Sequence, residues 1–110
     1  MPSSSHRPRK RFGQHFLHEQ GVLTRIVEAI QPSAEDFIVE IGPGEGVLTA
    51  PLLQQAGKVE AIELDRDLAA GLVEKFPNLT VHCGDALEFD FAQFPAGMRL
   101  VGNLPYNIST

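Results

Sequence analysis

The feature that most restricts this chain is an abrupt junction. Phe37-Ile-Val-Glu-Ile41, a short and mostly apolar run, stops at Gly42-Pro-Gly-Glu-Gly46. That pattern predicts a buried strand ending in a glycine loop. Val47–Ala56 is expected as the following helix, with Pro51 confined to its first turn and Gly57 in the C-cap role. The same order then repeats. Lys58–Glu63 alternates as a second strand, and Arg66–Phe76 forms a second helix with Leu68, Ala69, Leu72, Val73 and Phe76 on one face. Asp65 is a natural cap for that helix, and Pro77-Asn78 breaks it. Leu79–Cys83 is a third strand, Gly84-Asp85 a turn, and Met98–Val101 a fourth strand. A helix over about Glu19–Gln31, with Val22, Leu23, Ile26, Val27 and Ile30 at helical spacing, precedes them all and ends at Pro32-Ser33. Alternating strands and helices joined by right-handed crossovers give an α/β fold, a parallel sheet with helices on both faces.

Ligands on such sheets bind outside the carboxyl ends of the strands, where the glycine loop lies. Glycine lets the backbone turn sharply and approach a ligand closely. Glu63 ends the next strand, about twenty residues on, where a carboxylate can accept both hydroxyl hydrogens of a ribose. A dinucleotide site has a third glycine for close helix packing beside a pyrophosphate; here that position is Val47, and the loop carries Glu45. A sulfonium ligand has no phosphate to repel, so the loop favours S-adenosylmethionine over NAD. Asp85 can accept a hydrogen bond from an adenine amino group. Leu64 and Leu87 are expected in the core, with flanking the adenine ring as the alternative.

Asn103-Leu-Pro-Tyr106 follows the fourth strand and should share that edge. An adenine amino nitrogen is a poor nucleophile, because its lone pair is delocalised into the ring. The Asn103 side-chain carbonyl and the Leu104 backbone carbonyl can hold its two hydrogens and free the lone pair. Pro105 fixes the turn, and Tyr106 offers a ring for the base to stack on.

The composition, 43% apolar and 21% charged over 110 residues, is that of one folded domain. No apolar run approaches the roughly 20 residues needed to span a bilayer, and no secretory h-region follows the basic start. Cys83 is the single cysteine, which excludes an internal disulfide and fits a cytoplasmic protein. Charge is uneven: four of nine Lys+Arg residues lie at Arg7, Arg9, Lys10 and Arg11. From Phe12 onward five basic residues face fourteen acidic ones, so RNA would meet the arm first. Residues 1–8 are expected as a flexible arm and 9–110 as the domain. The fourth strand has no helix after it, which predicts a fragment of a longer protein.

Arg9-Lys-Arg-Phe-Gly-Gln-His-Phe-Leu17, Glu40-Ile-Gly-Pro-Gly44, Ile62-Glu-Leu-Asp65 and Asn103–Thr110 together resemble the ribosomal RNA adenine dimethyltransferase family. Within it, the chain is most similar to the bacterial enzymes that dimethylate two adjacent adenosines near the 3′ end of 16S rRNA. The resemblance implies a Rossmann-like class I S-adenosylmethionine-dependent methyltransferase fold, cut after about four strands. It implies cofactor contacts from His15, Leu17, Gly42, Gly44, Glu63, Asp85 and Asn103, with catalysis at Asn103–Tyr106 and no metal. Position 15 is often Asn in this family, and a His there would make cofactor affinity depend on pH. The partner implied is 16S rRNA in the small subunit or its precursor, met by a monomer. Three alternatives stand beside this: a large-subunit rRNA methyltransferase of the antibiotic-resistance type, an NAD-dependent oxidoreductase, and a non-catalytic ribosome-assembly factor.

Overall fold

A computed structural model describes residues 19–102. The elements run α1 (Gln20–Ile30), β1 (Phe37–Ile41), α2 (Thr49–Gln55), β2 (Lys58–Glu63), α3 (Arg66–Lys75), β3 (Thr80–Cys83), two 3-10 turns (Ala86–Glu88 and Phe91–Gln93) and β4 (Arg99–Gly102). The strands pair in parallel in the order β3-β2-β1-β4, with Ile41 opposite Ile62 and Glu40 opposite Val101. Direction reverses at β1, and the crevice beside such a reversal is where open α/β sheets bind ligands.

The reversal also decides what covers each face. The β1–β2 and β2–β3 crossovers run one way along the sheet, so right-handed connections put α2 and α3 on one face. α1 joins them: Leu23, Ile26, Val27 and Ile30 pack on a cluster built from Ile38, Leu48, Leu52, Val59, Ala61, Leu72 and Leu79. The β3–β4 connection runs back past β2 and β1 and covers the opposite face. Helices were expected on both faces. Instead, among the described residues, the second face carries the two 3-10 turns, with Phe89, Phe91 and Phe94 packed over Val39 and Ile62. Phe89 and Phe94 stack at 5.3 Å, and His82, 2.7 Å from Glu60, turns its ring edge to both.

Local chemistry explains most boundaries. Asp65 caps α3 as expected, accepting from the amides of Asp67 and Leu68. Pro51 is the third residue of α2, inside its first turn. α2 starts two residues later than expected because the chain is still turning after Gly46 (φ 90). Val73 departs from its expected place: it is 56% exposed, one helical step round from the stripe of Ala69, Leu72 and Phe76. Gly57 also differs, having no left-handed φ. A Cβ there would lie 2.2 Å from the Ala34 carbonyl oxygen, so close backbone contact, not helix capping, demands the glycine.

Arg99 closes the structure across its length. From β4 it donates to the carbonyls of Ile30 and Gln31 at the end of α1 and to Asp36 ahead of β1. The Ser33 amide, with this guanidinium, holds the Asp36 carboxyl below its ordinary value. No helix among the described residues is long and apolar enough to cross a membrane.

Candidate functional site

The carboxyl ends of β1, β2 and β3 are stitched together by backbone amides. Gly42 donates to the Ile62 carbonyl and Gly84 to the Glu63 carbonyl, both at 2.9 Å. The glycine loop then folds over β2 with Gly42 and Gly44 at φ 69 and 62, a left-handed region that a side chain rarely tolerates. At Gly46 a Cβ would also strike the Phe76 ring at 2.5 Å. Lys75, at the end of α3, donates to the Glu45 carbonyl at 2.8 Å and ties the loop from the other side.

Glu63 sits under this loop, 7% exposed. Its two oxygens accept from the amides of Gly44 and Asp65, each at 3.0 Å. Backbone dipoles thus stabilise the charge while spare lone pairs remain for a ligand. Asp85 is exposed, and one of its oxygens accepts from the Leu87 amide at 2.9 Å, shaping the first 3-10 turn.

Gly42, Glu63 and Asp85 line one cavity of about 550 Å³. Its apolar walls come from Leu64, Leu87, Phe91 and Leu100. The expectation that Leu64 and Leu87 join the core is corrected: they are 69% and 93% exposed and stand at the cavity. Leu64 directly follows the end of β2 and Leu87 lies in the first 3-10 turn after β3, where the chain has already left the sheet. Gly44 does not line the cavity; its amide holds Glu63 from behind. A more open groove of about 740 Å³ between α1 and α2 carries none of the predicted site residues. His15, Leu17, Arg7, Arg9, Lys10, Arg11, Asn103, Leu104, Pro105 and Tyr106 lie outside the described residues.

At this edge the first residue of the Glu40–Gly44 motif has a role that the motif alone does not assign. Glu40 is 0% exposed, and its Oε1 accepts from the Thr49 hydroxyl at 2.5 Å. Burial, reinforced by the nearby Glu63 charge and opposed by the Thr49 hydrogen bond, raises its pKa from 4.5 to about 7. The signal was in plain view: a single acid inside an otherwise apolar buried strand must meet a specific partner.

A family model described as ribosomal RNA adenine dimethylase matches residues 5–110. The chain belongs to the ribosomal RNA adenine dimethylase family. Its curated relatives in this family include ribosomal RNA small subunit methyltransferase A of Nitrosococcus oceani, 58% identical over 116 residues covering 100% of this chain and 44% of that protein. The protein of the same name from Bordetella avium is 57% identical over 109 residues, 97% of this chain and 42% of that protein. The chain therefore spans less than half the length of these relatives. Among solved structures, a dimethyladenosine transferase from Plasmodium falciparum superposes with a TM-score of 0.67 at 35% identity, covering 83% of this chain and 34% of that one. The 23S rRNA methyltransferase ErmE gives 0.72 at 35% identity, covering 84% and 38%. The fold of this family member is the Rossmann-like class I methyltransferase fold.

Proposed function

We propose that this chain is the cofactor-binding part of an enzyme that dimethylates the N6 amine of two adjacent adenosines near the 3′ end of 16S rRNA, using S-adenosylmethionine. The observation that carries the reading is the Glu63 carboxylate, fixed by two backbone amides on a cavity shared with Asp85. Glu63 would accept the ribose hydroxyls, Asp85 the adenine amine, and the apolar walls would flank the ring. Gly42 leaves room at the methionine end. The cofactor, when bound, supplies a methyl group on a positive sulfur. Asn103 and the Leu104 carbonyl would hold the target amine, with Tyr106 stacking on its base. Rate then comes mainly from positioning. The names of the curated relatives support the small-subunit target, and the basic arm at Arg7–Arg11 supports contact with RNA. We further propose that the enzyme is a cytoplasmic monomer that engages the small subunit or its precursor. The likeness to ErmE keeps a large-subunit target as the second reading.

Calorimetric titration of the full-length protein with S-adenosylmethionine and, in parallel, NAD tests the cofactor. The expected result is binding of the former alone, weakened about tenfold or more by Glu63→Gln, as loss of a charged hydrogen bond implies. Methyl incorporation into unmodified small-subunit particles, compared with large-subunit RNA, tests the target. Binding of NAD, or labelling of large-subunit RNA alone, would overturn the reading.

A further inference from the structure

Glu40 has an unusual environment even for a buried acid. Its Oε2 is fully buried with no hydrogen-bond partner among the described residues, and its Oε1 has only the Thr49 hydroxyl. Thr49 opens α2 and Glu40 lies two residues before Gly42, so the contact ties the two ends of the glycine loop together. Strand alternation places Glu40 on the face of Ile38, and Glu63 on the face of Val59 and Ala61, which is the same helix-covered face. The Glu63 carboxylate on the neighbouring strand adds to the cost of ionising Glu40. Glu63 has two amides to hold its charge, whereas Glu40 has one hydroxyl. Glu40 is therefore the less well held of the two as an ion. Its ionisation falls near neutrality, for the reasons of burial and neighbouring charge given above. Thr49 faces it from α2 and Glu63 from β2, while its register partner on β4 is the uncharged Val101.

We infer that Glu40 is a proton-linked positioning residue, holding a proton beneath the glycine loop in the ligand-free protein and releasing it to solvent when a cationic cofactor occupies the cleft. The inference rests on the reading that the ligand is S-adenosylmethionine, whose sulfonium and ammonium outnumber its one carboxylate. A positive ligand lowers the cost of ionising Glu40, so binding and deprotonation favour each other. The product of methyl transfer, S-adenosylhomocysteine, has lost the sulfonium charge and draws the proton away less. The cleft thus prefers the methyl donor over the spent product more strongly as pH rises.

The test is calorimetry of the full-length protein with S-adenosylmethionine and with S-adenosylhomocysteine, from about pH 5.5 to about pH 8.5, in two buffers of different ionisation enthalpy. Affinity for the methyl donor should rise with pH, by up to about tenfold per unit where Glu40 is protonated, with up to about one proton released per ligand. The product should show a shallower slope. Glu40→Gln keeps an acceptor for Thr49 and should flatten the profile, while thermal unfolding verifies that it is folded. Thr49→Val removes the hydrogen bond that favours the ion and should move the midpoint to higher pH. His15→Asn removes the other group expected to make affinity depend on pH and should leave the Glu40-dependent part of the slope in place. An unchanged slope in Glu40→Gln, a slope lost only in His15→Asn, or binding without proton release overturns the inference while leaving the cofactor assignment standing. A folded protein that binds no S-adenosylmethionine at any pH overturns both.

Discussion

The two faces of the sheet are covered in different ways. Under the helices, Ile38, Leu52 and Ala61 are 0% exposed. On the opposite face, three phenylalanines from a segment of 3-10 turns cover the centre, and Leu100 on β4 remains 53% exposed. The cavity opens on this second face, walled by Phe91 and Leu100. The difference separates two tasks. Regular helices seal one face for stability, and the short turns on the other leave an apolar recess at the strand ends. Glu40 and Glu63 reach the same edge from the sealed face, so these two acids are anchored on the helix-covered side.

The comparison is broken most directly by one truncation on each face. Phe94→Ala should cost about 3–5 kcal/mol in denaturant unfolding, because its ring packs against Phe37, Phe89 and Phe91. It should also change cofactor affinity, since Phe91 loses its support. Leu79→Ala, in the helix-covered cluster, should cost about 2–5 kcal/mol and leave the affinity of the folded protein unchanged. Equal effects on affinity would erase the distinction between the faces.

A second effect is pH-dependent. Glu40 has its pKa raised on folding from 4.5 to about 7, so the native state binds the extra proton between those values. Its stabilising contribution is complete below pH 4.5 and is lost as pH rises through about 7. The loss approaches roughly 3 kcal/mol. Urea unfolding at several pH values should show Glu40→Gln free of this loss, and therefore relatively more stable at alkaline pH. An identical pH profile in the variant would mean that Glu40 is ionised throughout.

The smallest effect sharpens the contrast from the surface. Leu87→Ser, at a residue 93% exposed, should change stability by less than about 0.5 kcal/mol. Titration should nevertheless show weaker cofactor binding, by about fivefold, as expected for about 1 kcal/mol of apolar contact. Unchanged binding would remove Leu87 from the site.

Much of this architecture was legible because periodicity reports burial. Leu23, Ile26, Val27 and Ile30 share one helical face, and all four pack on the core. Gly42, Glu63 and Asp85 were legible as a group, since each lies at or just past the end of a predicted strand and parallel strands end at one edge. The Phe89–Phe94 segment was not. Its aromatics recur at intervals of two and then three, which fits neither a strand nor a helix, and the turns around them take their form from Asp85 and Asp90. Glu40 was legible as a lone acid in an apolar strand, but its partner Thr49 was not, because a strand of apolar neighbours says nothing about which hydroxyl will meet it. Leu64 and Leu87 misled for the opposite reason: an apolar side chain suggests the core, yet beside a strand end it can face a ligand.

Arg99 has a consequence for the order in which the protein assembles as it is synthesised. Its partners at the end of α1 lie up to 69 residues upstream, and β4, which carries it, is the second neighbour of β1. β2 and β3 emerge first and can build outward on one side of β1 only. Until residue 102 has left the ribosome, β1 keeps an unpaired edge open to mispairing, and the last carbonyls of α1 lack the guanidinium that holds them. Among the described strands, the first to be made is thus an interior strand of the sheet, and it stays half-paired until the fourth arrives.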